Sequence, residues 1–122
     1  MGNLLIKRAY EAVDANDGKR VLVDRMWPRG IKKEKLALDL WEKSLAPTSQ
    51  LRKKFGHDPQ KFSWFKKEYQ KELEQNDELD NFIEQIKTWL NYANVTLIYS
   101  AKDQQHNQAV VLQEYLNGKL NK

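Results

Sequence analysis

No cysteine occurs in the 122 residues, which excludes disulfides, thiolate nucleophiles and cysteine-based zinc sites. Imidazole is nearly as scarce. His57 and His106 are the two histidines, and no His-Glu-x-x-His spacing is present, so a metal site would lean on carboxylates and none is expected. With five glycines, the chain lacks the glycine-rich loops of dinucleotide, P-loop and many methyl-donor sites, and no cofactor is expected either. No apolar run approaches the ~18 residues that a membrane span needs. The N-terminus, Met1-Gly2-Asn3-Leu4-Leu5-Ile6-Lys7-Arg8, turns charged too soon for a signal peptide, and Ile6 breaks a myristoylation motif. These absences predict a cytoplasmic protein without a membrane anchor.

What is there suits one domain spanning residues 1–122, with 40% hydrophobic residues to fill one core. Lys and Arg number 21 against 17 Asp and Glu, a net charge of +4. That balance favours a small anionic ligand or weak nucleic-acid contact, and falls short of a dedicated DNA binder.

Along the chain, residues 4–10 read as a first strand, followed by an Asp14-Ala15-Asn16-Asp17-Gly18 turn. Residues 20–25 give a second strand, whose unbroken Val21-Leu22-Val23 run suits burial on both faces. The pattern then turns helical. A helix is predicted over Lys33–Leu45, stopped by Ala46-Pro47, and a shorter one runs from a Thr48 cap to Phe55 and Gly56. Asp58-Pro59 opens a helix carrying Phe62, Phe65, Tyr69 and Leu73 on one stripe. Asn76-Asp77 separates it from the next, with Leu79, Phe82, Ile83, Ile86 and Leu90. Residues 95–100 form a further strand, and Asp103 is placed to cap a last helix with Gly118 just past its end. Strand, helices, strand, helix is the order of a crossover connection, which makes the second and last strands parallel neighbours. The fold class is α/β: a small three-layer domain with a short, mostly parallel central sheet flanked by helices.

In such sheets ligands sit beyond the carboxyl ends of the strands. The segments leaving there are Asp24-Arg25-Met26-Trp27-Pro28-Arg29-Gly30 and Ser100-Ala101-Lys102-Asp103-Gln104-Gln105-His106-Asn107. Arg25, Arg29 and Lys102 offer donors that match carboxylate or phosphate oxygens, Trp27 offers a stacking face, and Asn107 an amide. Asp24, Asp103 and His106 are the candidates for moving protons. Each has a plainer reading beside it. Asp24 and Arg25 suit a structural ion pair, Trp27 loop packing, Asp103 a helix cap and Lys102 a solvated surface. His57 is explained by a turn and a cap, although its loop is placed to close over the same edge. The function reading rests on both clusters converging at one rim.

The string Val21-Leu22-Val23-Asp24-Arg25-Met26-Trp27-Pro28-Arg29-Gly30, with Phe55-Gly56-His57-Asp58-Pro59 and Ser100-Ala101-Lys102-Asp103, resembles the YeaO-like branch of domain of unknown function family 488. The likeness covers nearly the whole chain. It implies a small α/β domain and supplies no reaction. Members of the wider family often carry a Cys-His-Arg arrangement after the last strand. Here that stretch reads Gln105-His106-Asn107, and Tyr99 stands where a cysteine is common, so thiol chemistry does not transfer.

Two functions compete at this stage. One is a binder of a small phosphate- or carboxylate-bearing ligand at the strand edge, with or without acid/base chemistry. The other is a non-catalytic nucleic-acid or protein interaction module, using Lys32, Lys33, Arg52, Lys53 and Lys54.

Overall fold

A computed structural model describes residues 2–121. Its centre is a four-stranded sheet in the order β1-β4-β2-β3, with every neighbouring pair parallel. The strands are β1 (Leu4–Arg8), β2 (Lys19–Leu22), β3 (Leu40–Trp41) and β4 (Val95–Tyr99). The helices are α1 (Lys33–Leu36), α2 (Ser49–Phe55), α3 (Phe62–Glu74), α4 (Leu79–Leu90) and α5 (Gln108–Leu120). No helix among the described residues is long and apolar enough to cross a membrane.

Alternation along the strands explains the layers. Side chains of a strand point to opposite faces in turn, and two separate apolar clusters take opposite parities. Val21, Val23, Val95, Leu97 and Tyr99 join the large core with side chains of α2, α3, α4 and α5. Leu22 and Ile98 face the other way, into a small cluster with Ala9 and Leu36, against which Trp27, Ile31, Leu38 and Trp41 pack. The Val21-Leu22-Val23 run is fully buried because both layers cover it. The helical layer is thick, while the second layer is the β2-to-β3 connection folded back on the sheet.

The helices follow their stripes. Phe65, Tyr69 and Leu73 recur at four-residue spacing along α3 and are buried, as are Leu79, Phe82, Ile83 and Ile86 on α4. Thr48 caps α2, its Oγ1 accepting from the Leu51 amide at 3.2 Å. Asp58 accepts from the Gln60 amide at 3.0 Å and opens a single 3₁₀ turn, Pro59–Lys61, that leads into α3.

Three expectations are corrected. The helix predicted over Lys33–Leu45 is one turn, ended by Ala37 in the left-handed region, and the chain then forms β3. Backbone and side-chain bonds to β2 decide this: Asp39 accepts from the Arg20 amide at 2.8 Å and donates its own amide to Arg20 O at 2.8 Å. Glu42 then donates to Leu22 O at 2.9 Å, so sheet pairing outweighs local helix propensity. The cap of α5 is Asn107, whose Oδ1 accepts from the Val110 amide at 3.0 Å, whereas Asp103 accepts from the Gln105 and His106 amides in a turn ahead of the helix. Gly118 lies inside α5, which runs on to Leu120.

Gly18 turns the chain into β2 at φ +63°, and a Cβ there would lie 2.0 Å from Asn94 O. Gly30 has φ +81° but open space around it. Gly18→Ala is therefore expected to cost more than about 2 kcal/mol, and Gly30→Ala only the conformational part, about 1 kcal/mol. Paired urea melts check this, with Gly18→Ala the less stable of the two.

Candidate functional site

Because β4 lies between β1 and β2, the segments leaving all three strands emerge side by side. They enclose a cavity of about 640 Å³. From the β2 exit come Asp24, Arg25, Met26, Trp27, Pro28 and Arg29, and from the β4 exit Ser100, Ala101, Lys102 and Asp103. The β1 exit adds Tyr10. The far wall comes from Pro47, Arg52, Phe55, His57 and Phe65, and Gln108 reaches in from the first residue of α5.

Asp24 is the anchor. It is 8% exposed, and its Oδ2 accepts from the Ser100 amide at 2.9 Å and the Ser100 hydroxyl at 2.6 Å. Its Oδ1 accepts from the Gln108 side-chain amide. Burial pushes the Asp24 carboxyl above the usual carboxylate range, a shift that the Ser100 and Gln108 donors and the nearby Arg52 charge only partly offset. The same residue's backbone O accepts from Trp41 Nε1 at 2.7 Å, so Asp24 ties β2, β3, β4 and α5 at one point.

The two turns are fixed from β1 as well. Arg8 donates through Nε to Ala101 O at 2.8 Å and through Nη2 to Ser100 O at 3.2 Å. The Tyr10 hydroxyl donates to Arg29 O at 3.0 Å. Arg25 does not pair with Asp24; it donates through Nε and Nη2 to Pro47 O at 3.3 and 3.1 Å, bridging the cavity wall to the segment before α2. Trp27 is held by a 2.7 Å bond from Nε1 to Ile31 O and meets Trp41 edge-on, with ring centroids 5.4 Å apart. Its packing role is thus built in, while it still lines the cavity.

The structure brings together Asp24, Arg25, Trp27, Arg29, Lys102 and Asp103 of the residues singled out from sequence. It leaves two outside the lining. Asn107 is 1% exposed and fully engaged as the α5 cap and as donor to Asp103 O at 2.8 Å. His106 precedes that cap and is not on the helix; its ring meets Phe62 edge-on at 5.1 Å, and its Nδ1 lies 2.9 Å from Asp103 Oδ2. The Gln105 amide and the His106 contacts hold the Asp103 carboxyl below the usual range. Among the described residues no group of three His, Asp or Glu side chains is placed to hold a metal ion.

Sequence reasoning missed Arg52, Ser100 and Gln108. Arg52 was grouped with the basic run assigned to the alternative interaction surface, and its place in the cavity lining follows from the Thr48 cap that sets the phase of α2. Ser100 lay within the singled-out segment but was given no role, and Gln108 was not singled out; only the end of β4 and the true start of α5 mark them.

A sequence model of DUF488-N3i, described as the inactive DUF488-N3 subclade, matches residues 3–122. The chain belongs to this family. DUF488-N3i relatives include the uncharacterized protein YeaO of Escherichia coli K12, 40% identical over 114 residues that cover 93% of this chain and 96% of YeaO. The uncharacterized proteins Rv3073c of Mycobacterium tuberculosis H37Rv and Mb3100c of Mycobacterium bovis are each 35% identical over 114 residues, covering 93% of both chains. No solved structure matches.

In this DUF488-N3i chain the raised Asp24 carboxyl makes a signed prediction. The folded state binds its proton more tightly than the unfolded state, so Asp24 lowers stability as pH rises from the unfolded value of 3.8 through the raised folded one. Asp24→Asn removes that term, and a rotated Gln108 amide can present its oxygen to the new NH₂ group. Urea melts between pH 4 and pH 8 are expected to show wild type losing ground to Asp24→Asn as pH rises, then a plateau. Parallel curves would contradict the assignment.

Proposed function

We propose that the rim cavity binds a small anionic ligand, bearing phosphate or carboxylate, by recognition rather than turnover. The observation that carries the reading is the gathering of Arg25, Arg29, Arg52 and Lys102 around one cavity that three parallel strand ends deliver. Guanidinium groups match the paired oxygens of such anions, and the concave site is of ordinary ligand size. The cations are unequal in role. Arg25 is already bonded to Pro47 O and shapes the wall, whereas Arg29, Arg52 and Lys102 are exposed, and no hydrogen bond or ion pair engages their side chains among the described residues.

Recognition is preferred to catalysis for two reasons. The family description calls the subclade inactive. His106, the acid/base candidate near neutral pH, points its ring at Phe62 and is absent from the lining. In this proposal Asp24 and Asp103 position the two turns, and His106 supports Asp103.

The test is thermal stabilisation by phosphate, sulfate, citrate and acetate at fixed ionic strength. A ligand at one hundred times its Kd adds about 2.7 kcal/mol to stability, an easily read rise in Tm. Arg52→Gln and Lys102→Gln, both at exposed positions, are expected to reduce the rise several-fold while leaving the unliganded Tm nearly unchanged. Arg25→Gln is expected to lower both. No stabilisation by any anion, combined with salt-sensitive retention on DNA or RNA that depends on Lys32, Lys33, Lys53 and Lys54, would turn the reading to a nucleic-acid module.

A further inference from the structure

We propose that the ligand of the rim cavity is a flat aromatic body carrying a single phosphate or carboxylate group, with the body seated on the apolar floor and the anion held at the mouth. The inference rests on the anion-binding reading above and adds the chemical class.

Size comes first. A cavity of about 640 Å³ is much larger than an inorganic anion fills, and lies within the ~300–1,000 Å³ of sites for drug-sized molecules. The lining has two distinct zones. Buried Phe55, Phe65 and Pro47 contribute an apolar floor, in which the rings of Phe55 and Phe65 stack with centroids 4.2 Å apart. Exposed Arg29, Arg52 and Lys102 supply the charge.

Exposed apolar surface is concentrated at the same place. Five large hydrophobic side chains are exposed among the described residues, and two of them, Met26 at 65% and Tyr10 at 48%, line this cavity. Apolar groups at the edge of a charged concavity are what a ligand's apolar body would cover, and the flexible thioether of Met26 adapts to a ring face. His57 also lines the cavity, its ring 6.2 Å from Phe55, with its backbone held in the left-handed region at φ +56°. That conformation is uncommon for a side chain other than glycine, and no hydrogen bond engages its imidazole among the described residues. Met26 and Tyr10, from the exits of β2 and β1, and His57, from the segment after α2, all line the cavity and offer faces suited to a planar group.

Asp24 sets the direction of binding. The Asp24 oxygens are engaged by Ser100 and Gln108, so the inner wall offers an anion no free donor; the charged group of the ligand stays outward, near Arg29, Arg52 and Lys102, and the body points inward.

The test compares inorganic phosphate, phenyl phosphate and benzyl alcohol by calorimetric titration of the full chain at fixed ionic strength. Phenyl phosphate is expected to bind about tenfold or more tighter than inorganic phosphate, because its ring leaves water on binding, with benzyl alcohol weaker than phenyl phosphate. Met26→Ala and His57→Asn are expected to erode the phenyl phosphate advantage several-fold and leave phosphate binding unchanged. Both positions are exposed, and asparagine tolerates the left-handed backbone. Equal affinities for phosphate and phenyl phosphate would overturn the proposal while sparing the anion site. Preference for phenyl phosphate that neither substitution alters would overturn the seating described here. Binding of none of the three would sink the proposal together with the anion reading beneath it.

Discussion

The rim of this molecule is organised by one buried carboxylate. Asp24 leaves β2 at the carboxyl edge of the sheet and receives three donors, two from Ser100 just beyond β4 and one from Gln108 at the start of α5. An ionised group taken out of water costs several kcal/mol unless its lone pairs are engaged, so each of these donors is a condition for the others. Removing any of them leaves an under-solvated carboxyl between two turns that, among the described residues, no other hydrogen bond joins directly. The β2 exit, the β4 exit and α5 therefore hold a fixed relation, and the cavity exists because that relation is fixed.

A second charged network works at a different point with the opposite electrostatic outcome. Asp17, ahead of β2, meets Arg20 at 2.6 Å and Lys7 at 2.8 Å. Burial opposes ionisation there too, but the donors from Lys7, Asp14 and Arg20 outweigh it and the Asp17 carboxyl is held below the usual range. Asp17 is thus a paired structural charge that stabilises above about pH 4 and loses its effect as acid protonates it. Asp24 has neutral hydrogen-bond donors, and burial outweighs them and the nearby Arg52 charge, so its carboxyl shifts upward. Two buried aspartates at opposite ends of β2 differ in this way because one is ion-paired by its partners and the other is held by neutral donors. A perturbed carboxyl at the rim and a paired one ahead of β2 are in keeping with the proposed site at the rim.

Much of this was legible in the chain and some was not. Val21-Leu22-Val23 and the largely apolar Val95-Thr96-Leu97-Ile98-Tyr99 announce buried parallel strands because burial on both faces favours apolar runs, and the rim follows from their shared direction. The short strand Leu40–Trp41 was illegible, since two residues carry no period and its pairing depends on Asp39 meeting Arg20, nineteen positions earlier. Gln108 and Arg52 were missed for a related reason. Hydrophobic spacing reports which helix face is buried, whereas the end of a polar side chain is placed by helix phase and by partners distant in sequence. Asp103 was misread as the α5 cap because Asp and Asn both serve that role four residues apart, and the choice of Asn107 depends on where α5 packs.

The hydroxyl at the centre of the rim bears on the proposed reading of recognition over acyl or phosphoryl transfer. Ser100 Oγ lies 2.6 Å from Asp24 Oδ2, so its proton points at a carboxylate that already accepts the Ser100 amide. An activated serine needs a base free to take its proton and return it, most often an imidazole that a third group orients. Here no imidazole reaches Ser100: His57 stands against Phe55 on the far wall and His106 against Phe62 beyond the lining. The donors of the inner wall are committed to holding Asp24, and the chain has no cysteine to take the nucleophile's place. Uncommitted donors are found at the mouth, on Arg29, Arg52 and Lys102, where they can contact a ligand without disturbing the fold. On the proposed reading, the satisfied interior and the free cationic edge are complementary parts of one anion site.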